Sequence, residues 1–209
     1  MINLIDEAQA LFSIQLTSEQ NVQLLEYQRL LIDWNTRINL TAIRGEEEIL
    51  IKHFLDSMAC TLVWKEKRIP ETLIDVGTGA GFPGIVLKIL FPEMKITLVE
   101  SIHKKAEFCQ HVIDALALSH VQVIIDRAES LAKQRSYNKK YDIAVARAVA
   151  SLPTVLEYLL PFVQVGGTAV AMKGNHVDEE LKSVRITGRI PYTLPHEVYP
   201  RNIITVQYY

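Results

Sequence analysis

The sequence predicts an α/β protein: a class I, Rossmann-like, mostly parallel sheet with helices on both faces, preceded by an N-terminal helical cap. Three observations predict it. The first 70 residues carry only helical periodicity, short apolar strand-like runs alternate with amphipathic helical stretches from residue 72 onward, and a glycine-rich turn sits where the first such run meets the first such helix. The length, 209 residues, suits one domain with an appendage rather than two large domains. We divide it into a helical cap over 1–70 and a core over 71–209 that together form one compact unit.

In the cap, Leu4, Ile5, Ala8, Leu11 and Phe12 fall on one helical face. Thr17-Ser18-Glu19-Gln20 has the spacing of a capping box opening a second helix that runs to about Trp34. Two shorter helical stretches follow, Glu46 to Ile51 and His53 to Trp64, and a charged linker, Lys65 to Pro70. In the core, strands are expected at Thr72–Val76, Lys95–Glu100, Val121–Ile125 and Tyr141–Ala146, and at Thr168–Lys173 after Gly166-Gly167. Helices are expected at Ile85–Phe91, Lys104–Leu118, Leu152–Leu160 and Asp178–Ser183. Two β-branched and aromatic stretches close the chain, Arg189–Leu194 and Asn202–Tyr208.

Composition narrows the function classes. Hydrophobic residues make up 49% and charged residues 22%, enough apolar surface for a packed core. The formal charge of −2 holds no polyanion by bulk attraction, so any nucleic-acid contact has to come from a local patch. Cys60 and Cys109 are the only cysteines and form neither a disulfide framework nor a metal knuckle, so no metal site is expected. An acidic start, with Asp6 and Glu7, and the lack of a long apolar run predict a soluble cytoplasmic protein without a membrane span.

The chemistry concentrates in Asp75-Val76-Gly77-Thr78-Gly79-Ala80-Gly81. Glycines at Gly77 and Gly79 let backbone bend and approach a ligand where a Cβ would collide. Dinucleotide binding requires a glycine at the position of Phe82, and the Asp75 carboxylate suits a ligand bearing an amine and a sulfonium better than a pyrophosphate. S-adenosyl-L-methionine is such a ligand. Glu100, at the end of the second strand, is placed to accept ribose hydroxyls, and the segment with Ala128 and Glu129 follows the third strand where an adenine edge would lie. Taken alone, that last segment reads equally well as a helix cap.

These residues resemble a known family, the bacterial small-subunit ribosomal RNA guanine-N7 methyltransferases, once called glucose-inhibited division protein B. The matching segments are Trp34-Asn35 with Ile38-Asn39-Leu40-Thr41, His53-Phe54 with Asp56-Ser57, the run from Asp75 to Ile85, Glu100-Ser101 with Lys104-Lys105, Arg127-Ala128-Glu129 and Arg147-Ala148. The resemblance implies S-adenosylmethionine-dependent methylation of N7 of one guanosine in the 530 loop of 16S ribosomal RNA. It implies cofactor contacts at Gly77, Phe82, Ala128, Glu129 and Arg147. The near-neutral charge adds the expectation that the RNA is recognised within a small-subunit particle, and a monomer is expected. The C-terminus departs from the family pattern, ending Tyr208-Tyr209 where many members carry a basic tail.

Guanine N7 has an in-plane lone pair and no proton, so its attack on a methyl sulfonium needs no general base. In keeping with that, Ala146-Arg147-Ala148-Val149 stands where exocyclic-amine methyltransferases carry an Asp/Asn-Pro-Pro-aromatic motif, and no cysteine nucleophile occurs there. Arg147 is the candidate catalytic residue, fixing the guanine or a phosphate through its planar donors. Trp34 reads as core, with Asn39 and Thr41 satisfying backbone at a turn, and His53 and Asp56 read as a local pair. Basic clusters at Lys65, Lys67 and Arg68, at Lys104 and Lys105, at Arg135, Lys139 and Lys140, and at Arg185, Arg189 and Arg201 are the candidates for RNA contact. Two other readings remain: a methyltransferase for a small-molecule or protein acceptor, and a non-catalytic RNA-binding assembly factor. An NAD-dependent dehydrogenase is a weaker third.

Overall fold

A seven-stranded sheet organises the chain, in the order β3-β2-β1-β4-β5-β7-β6. The strands are β1 (Thr72–Val76), β2 (Lys95–Glu100), β3 (Val121–Ile125), β4 (Tyr141–Arg147), β5 (Val163–Lys173), β6 (Gly188–Tyr192) and β7 (Arg201–Gln207). The first five are parallel, and β7 runs antiparallel between β5 and β6. The order reverses between β1 and β4, so the loops leaving their carboxyl ends diverge and open a crevice there. This computed structural model describes residues 3–64, 68–147 and 150–208. The candidate RNA contacts Lys65 and Lys67, the matched Ala148 with Val149, and Tyr209 lie outside the described residues.

Helices cover both faces. On one face lie α1 (Leu4–Phe12), α2 (Ser18–Asn35), α5 (Gly84–Leu90) and α6 (His103–Ala115), whose side chains share one apolar cluster with Leu73, Leu98, Val145 and Ile203 of the sheet. On the other lie α7 (Ala128–Leu131), α8 (Leu152–Leu159) and α9 (Asp178–Leu181), packed on Ile74, Ala144 and Ala169. The alternation of side chains along each strand divides the sheet's residues between these two layers. The predicted capping box forms: the Gln20 amide N–H donates to Thr17 Oγ1 at 3.1 Å, and the Thr17 N–H donates to Gln20 Oε1 at 3.0 Å.

Three local expectations are corrected. The stretches split at residue 52 form one continuous helical run: α3 (Glu46–Ile49), a π-helical segment (Leu50–Leu55), α4 (Asp56–Met58) and a 3-10 segment (Ala59–Val63). The π segment shifts the helical phase, which in sequence looks like a break in the 3.6-residue period. The turn after α2 is held by Asn35 rather than Asn39. Asn35 Oδ1 accepts the amides of Leu40 and Thr41 at 2.9 and 3.1 Å, and Asn39 is exposed. Finally, β5 does not begin after Gly166-Gly167 but runs through them, with a register irregularity against β4 between Tyr141 and Ile143.

Gly167 lies so close to β4 that a Cβ built on it would stand 2.8 and 2.9 Å from the carbonyl oxygens of Asp142 and Tyr141. Backbone atoms within a ladder cannot yield as a side chain can. Gly167→Ala is therefore expected to lower unfolding free energy by about 1–3 kcal/mol, read as a lower urea midpoint with an unchanged m-value.

Candidate active site

Between β1 and α5 the chain turns through Gly77, Gly79 and Gly81, all with positive φ (70°, 62° and 94°). At Gly81 a side chain would also collide with Ile85 Cδ1 at 2.5 Å and Tyr27 Oη at 2.6 Å, because α2 and α5 both press on the loop. At Gly79, by contrast, an added Cβ meets nothing within 4 Å. The loop is thus packed on its inner side and open on its outer side, a cradle with room above it.

Two carboxylates hold that shape. Asp75 is fully buried and lines neither cavity described below. Its Oδ2 accepts from Thr78 Oγ1 at 2.6 Å and from the Gly84 amide at 2.8 Å, clamping both ends of the turn, and Oδ1 has no partner. Burial raises its pKa to about 6, against the lowering effect of those two bonds. The expectation that Asp75 faces a cationic ligand is corrected: it works from beneath the loop. Glu100 sits at the crevice, where Oε2 accepts the Gly79 amide at 2.9 Å and Oε1 the Ile102 amide at 2.8 Å.

The larger cavity at this edge, about 620 Å³, is lined by Gly77, Gly79, Phe82, Glu100 and Arg147 among others. An adjoining cavity of about 300 Å³ includes Ala128 and Glu129, with Asp126, Arg127 and Tyr158. Gly77 and Ser101 line both, so the two form one crevice over the carboxyl ends of β1, β2 and β3. Every cofactor-binding position predicted from sequence except Asp75 therefore borders it. Their arrangement fits S-adenosylmethionine: an open glycine turn for close backbone approach, a strand-end carboxylate with lone pairs left over for hydroxyls, and a second recess beyond it. A separate hollow of about 480 Å³ lies at the opposite end of the strands, around Asp142 and Gln164, away from this crevice.

Arg147, closing β4, is tied down on three sides. Its Nη1 donates to the Lys52 carbonyl and to Asp56 Oδ2, both at 3.0 Å, and its Nη2 meets His53 Nδ1 at 2.9 Å. Asp56 is buried, and its Oδ1 also accepts from Tyr192 Oη at 2.6 Å and pairs with Arg201 Nη1 at 3.2 Å. One carboxylate, at the start of α4, thus joins the helical run before the sheet to β4, β6 and β7. His53 stacks on Phe82 with ring centroids 4.6 Å apart, and Phe82 stacks on Tyr27 at 5.0 Å. Burial, then the Arg147 and Arg201 guanidinia, lowers the His53 pKa to about 3, so the ring is neutral. With Nδ1 facing a guanidinium donor, the proton resides on Nε2 and is donated to Thr41 Oγ1 at 2.8 Å.

Sequence reasoning read His53 and Asp56 as a local pair and left Tyr192 out. Only their shared neighbour Arg147, 94 and 91 residues away in sequence, gives them their role. Of the basic clusters, Lys105 and Arg201 line the crevice. Arg68 pairs with Glu71, Lys139 with the Tyr208 ring and hydroxyl, and Arg189 with Asp178 and Asn202. Among the described residues no group of three or more His, Cys, Asp or Glu side chains is arranged to hold a metal ion.

The profile of the family described as rRNA small subunit methyltransferase G matches residues 20–194. The chain belongs to this family. Relatives agree: the ribosomal RNA small subunit methyltransferase G of Acetivibrio thermocellus is 44% identical over 94% of this chain and 84% of its own. That of Roseiflexus sp. is 43% identical over 93% and 86%. Among solved structures, a mutant of MtNAS in complex with S-adenosylmethionine superposes with a TM-score of 0.58 at 13% identity, covering 99% of this chain and 88% of that one. TehB from Haemophilus influenzae gives 0.53 at 12% identity over 85% and 67%. Those likenesses show the fold, which is the class I Rossmann-like methyltransferase fold.

Two outcomes are expected. Asp56→Ala leaves two guanidinia without their buried counter-charge and costs about 3–5 kcal/mol, measured by denaturant unfolding. His53 binds a proton less tightly folded than unfolded, so its contribution to stability is complete above pH 6.5 and is lost as pH falls toward 3. Asp75, with its raised pKa, acts in the opposite sense below pH 6. The difference in unfolding free energy between the wild type and His53→Gln is therefore expected to change by about 1.4 kcal/mol per pH unit in that window, and a pH-independent difference would show that His53 titrates normally.

Proposed function

We propose that this protein methylates N7 of one guanosine in the 530 loop of 16S ribosomal RNA, using S-adenosylmethionine. The observation that carries it is the placement of Arg147 at the cavity wall with Gly77, Gly79 and Phe82 of the glycine cradle, in a chain of this methyltransferase family. Gly77, Gly79 and Glu100 would hold the methionyl and ribosyl portions, and Ala128 and Glu129 would border the base. When bound, the cofactor supplies an electrophilic methyl whose transfer forms the N7–C bond, breaks the S–C bond and moves the positive charge to the purine, releasing no proton.

The chain's own part is orientation and exclusion of water. Arg147 is 14% exposed, and its Nε and one Nη2 hydrogen are not engaged in the bonds above. These can fix the guanine or a neighbouring phosphate in plane. Phe82, stacked between His53 and Tyr27, gives the cradle a rigid apolar floor. The neutral His53 acts as an acceptor that orients Arg147, not as a base. The helical cap over 1–70 and the core over 71–209 act as one unit, since Asp56 belongs to the first and Arg147 to the second. The protein acts as a cytoplasmic monomer on a small-subunit particle; no helix among the described residues is long and apolar enough to cross a membrane.

Labelled methyl transfer to small subunits from cells lacking the activity tests the reading. Label is expected at N7 of a single 530-loop guanosine. Arg147→Ala is expected to lower the transfer rate about a hundredfold or more at saturating substrates. Label in another acceptor, or full turnover by the variant, would overturn the acceptor or the role of Arg147 respectively.

A further inference from the structure

The connection between β6 and β7, residues 193–200, carries an unusual pair of features. Its tip exposes two large apolar side chains, Val198 at 85% and Tyr199 at 66% of their full surface. Its base is firmly held. Leu194 is buried, the Glu197 amide donates to the Leu194 carbonyl at 3.1 Å, and Arg201 grips the Glu197 carboxylate with Nε at 2.9 Å and Nη2 at 2.6 Å. The same guanidinium reaches the buried Asp56. Pro195 and Pro200 flank the tip and restrict its backbone. An aromatic ring in water on a braced turn gains nothing for folding, but it offers a flat partner a surface whose ordering cost has already been met.

The connection leaves the sheet at the same edge as the crevice: Asn202 pairs with Lys173 at the carboxyl end of β5, and Arg201, two residues after Tyr199, lines the cavity. Five cationic side chains line the cavity wall, Lys52, Lys105, Arg147, Lys173 and Arg201, with two carboxylates, Asp56 and Glu100. Lys52 pairs with Glu48, Lys173 with Glu180, and Arg147 and Arg201 with Asp56, while Lys105 makes no ion pair among the described residues. On a chain with a net charge of −2, Lys105 is thus the cation at the mouth left to meet a phosphate. A braced aromatic at the same edge of the sheet is the companion feature that single-stranded RNA uses, because every base has a face that stacks.

We propose that Tyr199 is a stacking platform for an unpaired base flanking the target guanosine, so that the β6–β7 connection receives the RNA strand entering the crevice. This rests on the ribosomal RNA reading above. Glu197 and Arg201 are positioning residues: their ion pair aims the platform.

Two measurements test it. Tyr199→Ala, a change at an exposed site, is expected to raise the KM for the RNA substrate about tenfold or more while kcat and S-adenosylmethionine affinity stay as in the wild type; Tyr199→Phe keeps the ring and is expected to stay within twofold. An unchanged KM in Tyr199→Ala overturns the proposal. Tyr199→Trp places an indole at the tip, and a single-stranded RNA oligonucleotide carrying the acceptor loop is expected to quench its emission, with a duplex of equal length failing to do so. No quenching, or equal quenching by the duplex, overturns it. If Tyr199→Ala weakens binding to the particle but not to the oligonucleotide, the tip contacts a ribosomal protein and the base-stacking assignment is wrong. Should the wild type methylate no RNA, the acceptor reading fails on its own account, and the Trp emission still reports whether a base stacks at the tip.

Discussion

The site depends on a buried carboxylate that cannot stand alone. Asp56 lies within the continuous helical run before the sheet, where an isolated charge would cost several kcal/mol, and its oxygens are answered by Arg147 from β4, Tyr192 from β6 and Arg201 from β7. Because each partner comes from a different strand, satisfying one charge fixes the helical layer against the far half of the sheet. The same bonds determine where the guanidinium of Arg147 sits. Fold and site are therefore built by one interaction, and the lining of the crevice is as rigid as the electrostatics that hold it.

The glycine cradle follows a related logic with a different result. Asp75 and Glu100 are both buried carboxylates that answer to backbone amides rather than to cations. Backbone donors define a loop's path, so these bonds shape the turn where arginine partners would merely neutralise charge. Asp75 retains an oxygen without a partner, and its raised pKa records the cost of that burial. Glu100 lies at the edge of the open space, so the same carboxylate that braces the loop also faces what the loop admits.

Around these charges the aromatic side chains act as a common floor. Tyr27 donates to the Ala80 carbonyl and stacks on Phe82, which in turn meets His53. This column runs from α2 through the glycine loop to the Arg147 network. It explains why a neutral histidine, with its proton sent toward Thr41, serves the site: a protonated ring there would face two guanidinia. Chemistry at a nucleophile that needs no deprotonation is compatible with such a site, since what the residues supply is geometry.

Much of this was legible in sequence, for a physical reason: local effects are written locally. A strand buried on both faces reads as Thr72–Val76, the capping box at Thr17 and Gln20 closes over three residues, and the run from Asp75 to Gly81 encodes a turn only glycine makes easily. Those signals determined the parallel sheet, its crevice and the candidate cofactor positions. What only the tertiary structure decided are the relations across long separations. The π-helical phase shift disguised Leu50–Leu55 as a break, Asp75 looked like a ligand contact until its burial showed it beneath the loop, and Asp56 gained its meaning from partners 91 and 136 residues away. A buried charge chooses partners by proximity in space, and sequence spacing carries no record of which strand ends a sheet will bring together.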